Sequence, residues 1–176
     1  MNNIMRKIKI EKVTLNCGTG TSPADLEKGM RLLKIITNQQ PVNTKSKKRI
    51  PAFGIRKGLT IGCKVTLRGK NAIELLKRLL GAIDNRLSYK QINPGSFAFG
   101  IKEYIEIPGI VYQRDMGIIG LDVCVTLTRP GLRVCKRKIA SAKISKRHRI
   151  SKEETAQFMR ENFDTKIEME KIEKEK

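Results

Sequence analysis

The chain has 176 residues, 39% apolar and 31% charged, with a formal net charge of +20. That length fits one domain of roughly 100 to 200 residues, alone or with an extension, and argues against two full domains. So large a cationic excess points to polyanions, either nucleic acid or an anionic surface. No apolar run approaches the roughly 18 residues needed to span a bilayer, and "MNNIMRKIKIEK" lacks the apolar core of a signal peptide, so the expected setting is the cytosol, without membrane.

"KVTLNC", from Lys12 to Cys17, alternates apolar Val13, Leu15 and Cys17 with polar Thr14 and Asn16, the period of a strand with one face inward. "GTGTSP" turns the chain; Ser22 followed by Pro23 reads as an N-cap with proline at the first helical position, and Leu26, Met30 and Leu33 recur at helical spacing to about Thr37. Val42 to Lys45 is a short strand, and the prolines and glycines that follow make a long cationic loop.

From Ile61 to Arg68 the alternation returns, with Cys63, Val65 and Leu67 against Lys64, Thr66 and Arg68. Asn71 is expected to cap a second helix whose stripe is Ile73, Leu76, Leu80 and Ile83. Strands are expected at Phe97 to Tyr104 and at "LDVCVTLT", where Leu121, Val123, Val125 and Leu127 oppose Asp122, Cys124, Thr126 and Thr128. Arg129 to Arg149 reads as basic and loosely structured. Ser151 with Glu154 forms a capping-box pattern that starts a helix running from about Lys152 to Asn162, and the tail "KIEMEKIEKEK" either extends as helix or frays.

Strands with one aliphatic and one polar face suit an α+β fold: a mostly antiparallel, curved sheet with helices packed on one face and the other face open. The charge is not spread evenly over this frame. Lys28 to Ile73 holds 12 Lys or Arg and no acid, and Arg129 to Arg149 holds nine and no acid. The remaining 16 cations meet all 17 acids, so an almost neutral scaffold carries two basic blocks that repel themselves unless an anion compensates them.

Catalytic and cofactor readings find little support. The loop "NCGTGTSP" has Pro23 where a dinucleotide fingerprint needs its third glycine, and no Walker lysine follows, so it reads as a tight turn with no cofactor. Cys17, Cys63, Cys124 and Cys135 are scattered and the only histidine, His148, sits in "SKRHRI", which argues against a metal site and against an enzyme with a small-molecule substrate. "TKSKKRIPAFGIRKG" joins cations to Phe53, an aromatic that either stacks on a base or tucks into the core. The second block has no aromatic and reads as a binder of phosphate backbone through Arg129, Arg133, Lys136, Arg137, Lys138, Lys143, Lys146, Arg147 and Arg149.

With these elements in place, "KVTLNCGTG", "QQPVNTKSKKRIPAFGIRKGLTIGCKVTLRG" and "FGIKEYIEIPGI", in that order, make the chain resemble the large-subunit ribosomal protein L five family, which binds 5S rRNA. The C-terminal part resembles the archaeal and eukaryotic form. The resemblance implies a single ribosomal RNA-binding domain over 1–176, with a basic loop at 45–60 and a basic extension at 129–176, working in the cytoplasmic ribosome. It implies 5S rRNA contacts at Asn16, Gln40, Thr44, Lys45, Thr66 and Arg68, of which Asn16, Thr66 and Arg68 fall on the open face by alternation alone. It also implies that Arg49, Phe53, Arg56 and Lys57 lie in a loop reaching peptidyl-site tRNA. The further partners it implies are large-subunit rRNA and the small-subunit head protein S thirteen, the latter near Asp115. The rival reading is a non-ribosomal basic RNA-binding protein or RNA chaperone.

Overall fold

A computed structural model describes residues 3–168. Strand β1 (Lys9–Gly18) begins earlier than the alternation from Lys12 suggests and is followed by α1 (Pro23–Thr37), β2 (Val42–Lys45), β3 (Thr60–Leu67), α2 (Lys70–Gly81), β4 (Arg86–Ser88), β5 (Ile92–Asn93), β6 (Ser96–Ile101), β7 (Leu121–Thr128), α3 (Arg133–Lys136), α4 (Lys152–Phe163) and β8 (Lys166–Glu168). Six strands form one sheet in the order β2-β3-β1-β7-β6-β5, every neighbouring pair antiparallel, while β4 and β8 pair in parallel as a separate ribbon.

The inward residues of the strands set the core. Val13, Leu15, Cys17, Cys63, Val65, Leu67, Val123, Val125, Phe97 and Phe99 are buried against Leu32, Leu33 and Ile36 of α1 and Leu75, Leu76, Leu79 and Leu80 of α2. Helix α1 starts as its sequence dictates, with Ser22 Oγ accepting from the Asp25 amide and Pro23 in the first turn. It then presses close on the sheet at Gly29. A Cβ built there would lie 2.9 Å from the Thr19 methyl and 3.2 Å from the Cys63 sulfur, so a side chain at this position would have to push Thr19 aside.

Several expectations need correcting. Helix α2 is capped by Gly69, not Asn71: a φ of 71° at Gly69 turns the chain out of β3, and Asn71 already lies within the first turn. Its buried stripe is Ala72, Leu75, Leu76, Leu79 and Leu80, with Ile73 exposed on the flank. The strand expected to reach Tyr104 ends at Ile101. Tyr104 is buried in a 3-10 turn, where its hydroxyl takes the Gln113 amide at 3.1 Å, so it staples the connection leading to β7.

The block from Arg129 to Arg149 contains the single turn α3 and a 3-10 turn at Lys146–His148. The capping box of α4 is reciprocal: the Ser151 amide donates to Glu154 Oε2 at 2.9 Å and the Glu154 amide to Ser151 Oγ at 3.1 Å. Of the tail, Lys166–Glu168 is strand, not helix, and 169–176 lie outside the described residues. Among the described residues, no helix is long and apolar enough to cross a membrane.

Candidate RNA interface

The helices cover one face of the sheet, and the ladder register fixes what stands on the other. Across the strands, one row runs Val42, Lys64, Asn16, Asp122, Gly100. The next runs Thr66, Thr14, Cys124, Ala98, and a third runs Lys12, Thr126, Ser96. On the other side of the first row, Thr44 stands beside Gly62 and Gly18. Short side chains and glycine keep this face low, and it is polar and lightly charged rather than densely basic.

Asn16, Thr44 and Thr66, taken from different strands, are brought onto this one surface. Gln40 is exposed just before β2, and Lys45 ends β2 where its register against β3 shifts. None of the side chains of Asn16, Gln40, Thr44 and Thr66 has a hydrogen-bond partner within the described protein. Their donors and acceptors are unspent. Arg68 lies just past β3, its Nη1 donating to the Glu11 carbonyl at 3.5 Å and standing 3.7 Å from Glu11 Oε1.

The basic loop is a small hairpin. Ser46 and Leu59 share a backbone bond at 2.8 Å, Ile50 and Ile55 bridge in both directions, and Gly54, with φ 65°, closes the tip. Phe53, left open between base stacking and core, stands at that tip with 74% of its surface exposed. Arg49, Arg56 and Lys57 flank it, all exposed. A hairpin holds an exposed ring out at little entropic cost to whatever it later meets.

The second block divides. Arg133, Lys136, Arg137, Lys138, Lys143, Lys146, Arg147 and Arg149 are exposed, but Arg129 is only 6% exposed and turns inward. Its Nη1 donates to the carbonyls of His148 and Arg149 at 3.3 Å, and its Nη2 to Glu154 Oε1 at 2.7 Å. Arg129 is thus no part of the presented surface: it ties the end of the block to the first turn of α4. His148 has a similar internal task, with Nε2 2.9 Å from the Pro130 carbonyl oxygen. The Ser151 amide, together with Arg129, holds the Glu154 carboxyl below the usual carboxylate range.

Sequence reasoning missed Glu11. Its carboxylate takes the Lys136 ammonium as well as Arg68, joining β1 to a residue 125 positions away. Lys136 foremost keeps the Glu11 carboxyl below its ordinary range. No local pattern announces such a pairing. Asp122, by contrast, was legible from alternation as an outward residue of β7.

Two family models together account for nearly all of this architecture. "Ribosomal protein L5" matches residues 3–56, which include β1, α1, β2 and the hairpin tip, and the model of the same family's C-terminus matches residues 60–158. The chain belongs to the ribosomal protein L5 family. Among its relatives, "Large ribosomal subunit protein uL5" of Nanoarchaeum equitans is 48% identical over 168 residues, covering 95% of this chain and 99% of that one. The proteins of the same name from Sulfolobus acidocaldarius and Archaeoglobus fulgidus are 46% and 47% identical, covering 94% and 89% of this chain and 93% and 88% of theirs. These L5 relatives are archaeal, and the match to the family's C-terminus extends through the basic block into α4.

Proposed function

We propose that this protein, a constituent of the large subunit of the cytoplasmic ribosome, holds 5S rRNA on its open sheet face and anchors it to large-subunit rRNA in the central protuberance. The observation that carries the reading is the set of unspent polar groups on that face. Asn16, Thr44 and Thr66 sit at fixed register above a fully packed core, with Gln40 at the entry to β2. Rigid neutral donors and acceptors without internal partners suit shape-selective contacts to ribose hydroxyls, phosphates and base edges.

Lys45 and Arg68 add charge at the ends of β2 and β3, and the exposed cations of the second block offset rRNA phosphate repulsion beside that face. Affinity comes from the charge, selectivity from the face. The hairpin, with Phe53 exposed among Arg49, Arg56 and Lys57, reaches the tRNA in the peptidyl site. The connection between β6 and β7, where Val111 is 81% and Ile118 67% exposed beside Tyr112, is the contact with small-subunit head protein S thirteen.

The test is binding of the purified protein to 5S rRNA and to a scrambled RNA of equal length at physiological salt, for wild type and for the double change Asn16→Ala, Thr66→Ala. A preference for 5S rRNA that the double change removes, with the fold intact, is the expected result. Equal binding to both RNAs, unmoved by the double change, would overturn the reading in favour of a general RNA chaperone.

A further inference from the structure

Glu11 occupies an unusual place in β1. Opposite β7, Ile10 pairs with Leu127 and Lys12 with Thr126, so Glu11 is the extra residue of a bulge and has no partner in that ladder. Bulges re-aim a side chain. Here the bulge brings a carboxylate, 18% exposed, between two cations from distant parts of the chain: Arg68 just past β3, and Lys136 at the end of α3. Its Oε2 is buried with no hydrogen-bond partner, a cost set against the two ion pairs of Oε1.

The block around Lys136 has no acid of its own between Arg129 and Arg149. Cations on it repel those at the margin of the sheet, Arg68 and Lys12 among them, and an anion between the two groups is what allows them to lie together. We infer that Glu11 is a positioning residue for RNA binding, fastening the C-terminal basic block to the sheet so that its cations and those of the open face meet one RNA surface. This rests on the proposed RNA-binding function. It makes a counterintuitive demand, because removing an acid from a protein of charge +20 should by charge alone strengthen its grip on RNA.

The experiment is a double-mutant cycle with the full chain: Glu11→Gln, Lys136→Met and the pair together, each titrated with 5S rRNA and followed by limited trypsin digestion without RNA. Expected are a roughly tenfold loss of 5S rRNA affinity in Glu11→Gln, a double variant no weaker than the weaker single one, and faster tryptic cleavage after Arg133 and Arg137 in all three. Unchanged or tighter binding in Glu11→Gln, or single effects that add in the double variant, would overturn the inference. If Glu11→Gln does not fold, Lys136→Met decides alone through cleavage: faster supports docking and unchanged rate refutes it. Tryptic cleavage needs no RNA, so its outcome separates failure of the docking from failure of the RNA-binding reading, which the Asn16→Ala, Thr66→Ala comparison tests.

Discussion

Asn16 of β1 and Asp122 of β7 stand directly opposite each other on the open face, and the Asp122 carboxylate has neither an ion pair nor a side-chain hydrogen bond among the described residues. On a surface that receives RNA, an unpaired carboxylate repels any phosphate that lands on it and tolerates only a donor. Asp122→Ala is expected to raise affinity for scrambled RNA several-fold, on the order of 1 kcal/mol, while 5S rRNA gains less. Paired titrations of the two RNAs check this narrowing of selectivity.

The fit of α1 against the sheet yields a stability prediction. Gly29→Ala gains helix propensity but drives a methyl against Thr19 and Cys63. Overpacking of this kind costs about 1–3 kcal/mol against roughly 1 kcal/mol of propensity gained. A lowered midpoint in urea is the expected outcome. Adding Thr19→Ser, which deletes the closest methyl, should recover part of the loss.

Acid sensitivity follows from Glu154 and Glu11. Both carboxyls have folded pKa values below the ordinary 4.5, Glu154 through the Ser151 amide and Arg129, and Glu11 through Lys136 and its neighbours. A depressed carboxyl contributes stability that is complete above the unfolded value and is lost as pH falls through the folded one. Thermal melts should therefore weaken below about pH 4.5, and Glu154→Gln should lower stability at neutral pH while flattening that acid slope. Because Glu11 shares the direction, a residual slope should remain.

Binding should be strongly salt-dependent. If about six phosphates are neutralised by the two basic regions, affinity falls on the order of a thousandfold between 50 and 200 mM salt. Replacing Arg49, Arg56 and Lys57 of the hairpin by Gln should leave the slope for isolated 5S rRNA nearly unchanged, because the proposed function assigns those cations to the tRNA. Replacing Lys143, Lys146 and Arg147 should flatten the slope for 5S rRNA.

Much of this was legible in the sequence, for reasons that differ by element. Alternation in β1, β3 and β7 gave the two faces of the sheet because each strand is long enough to show its period and buries one side completely. The capping box at Ser151 gave α4 because the contacts that start a helix lie within four residues. Asn71 misled because a polar side chain near a helix start resembles a cap, whereas the chain needed the left-handed φ of Gly69. Strands β4, β5 and β8 are two or three residues long, too short for any period, and exist through their partners. Arg129 has the look of a surface cation in the sequence because the groups that hold it inward lie 19 to 25 residues further on. Glu11 was hidden for the same reason at greater distance.

Cys124 offers the most direct test of the open face as the 5S rRNA surface. It is exposed in the row with Thr14 and Thr66, while Cys135 is exposed on the basic block and Cys17 and Cys63 are buried. Alkylation by a small iodoacetamide reagent, resolved by peptide mass spectrometry, reads each thiol with and without 5S rRNA. Strong protection of Cys124 by 5S rRNA, and little by scrambled RNA at the same concentration, is the predicted result. Cys124 alkylation unchanged by saturating 5S rRNA would contradict the account, because RNA would then be bound somewhere other than the open face.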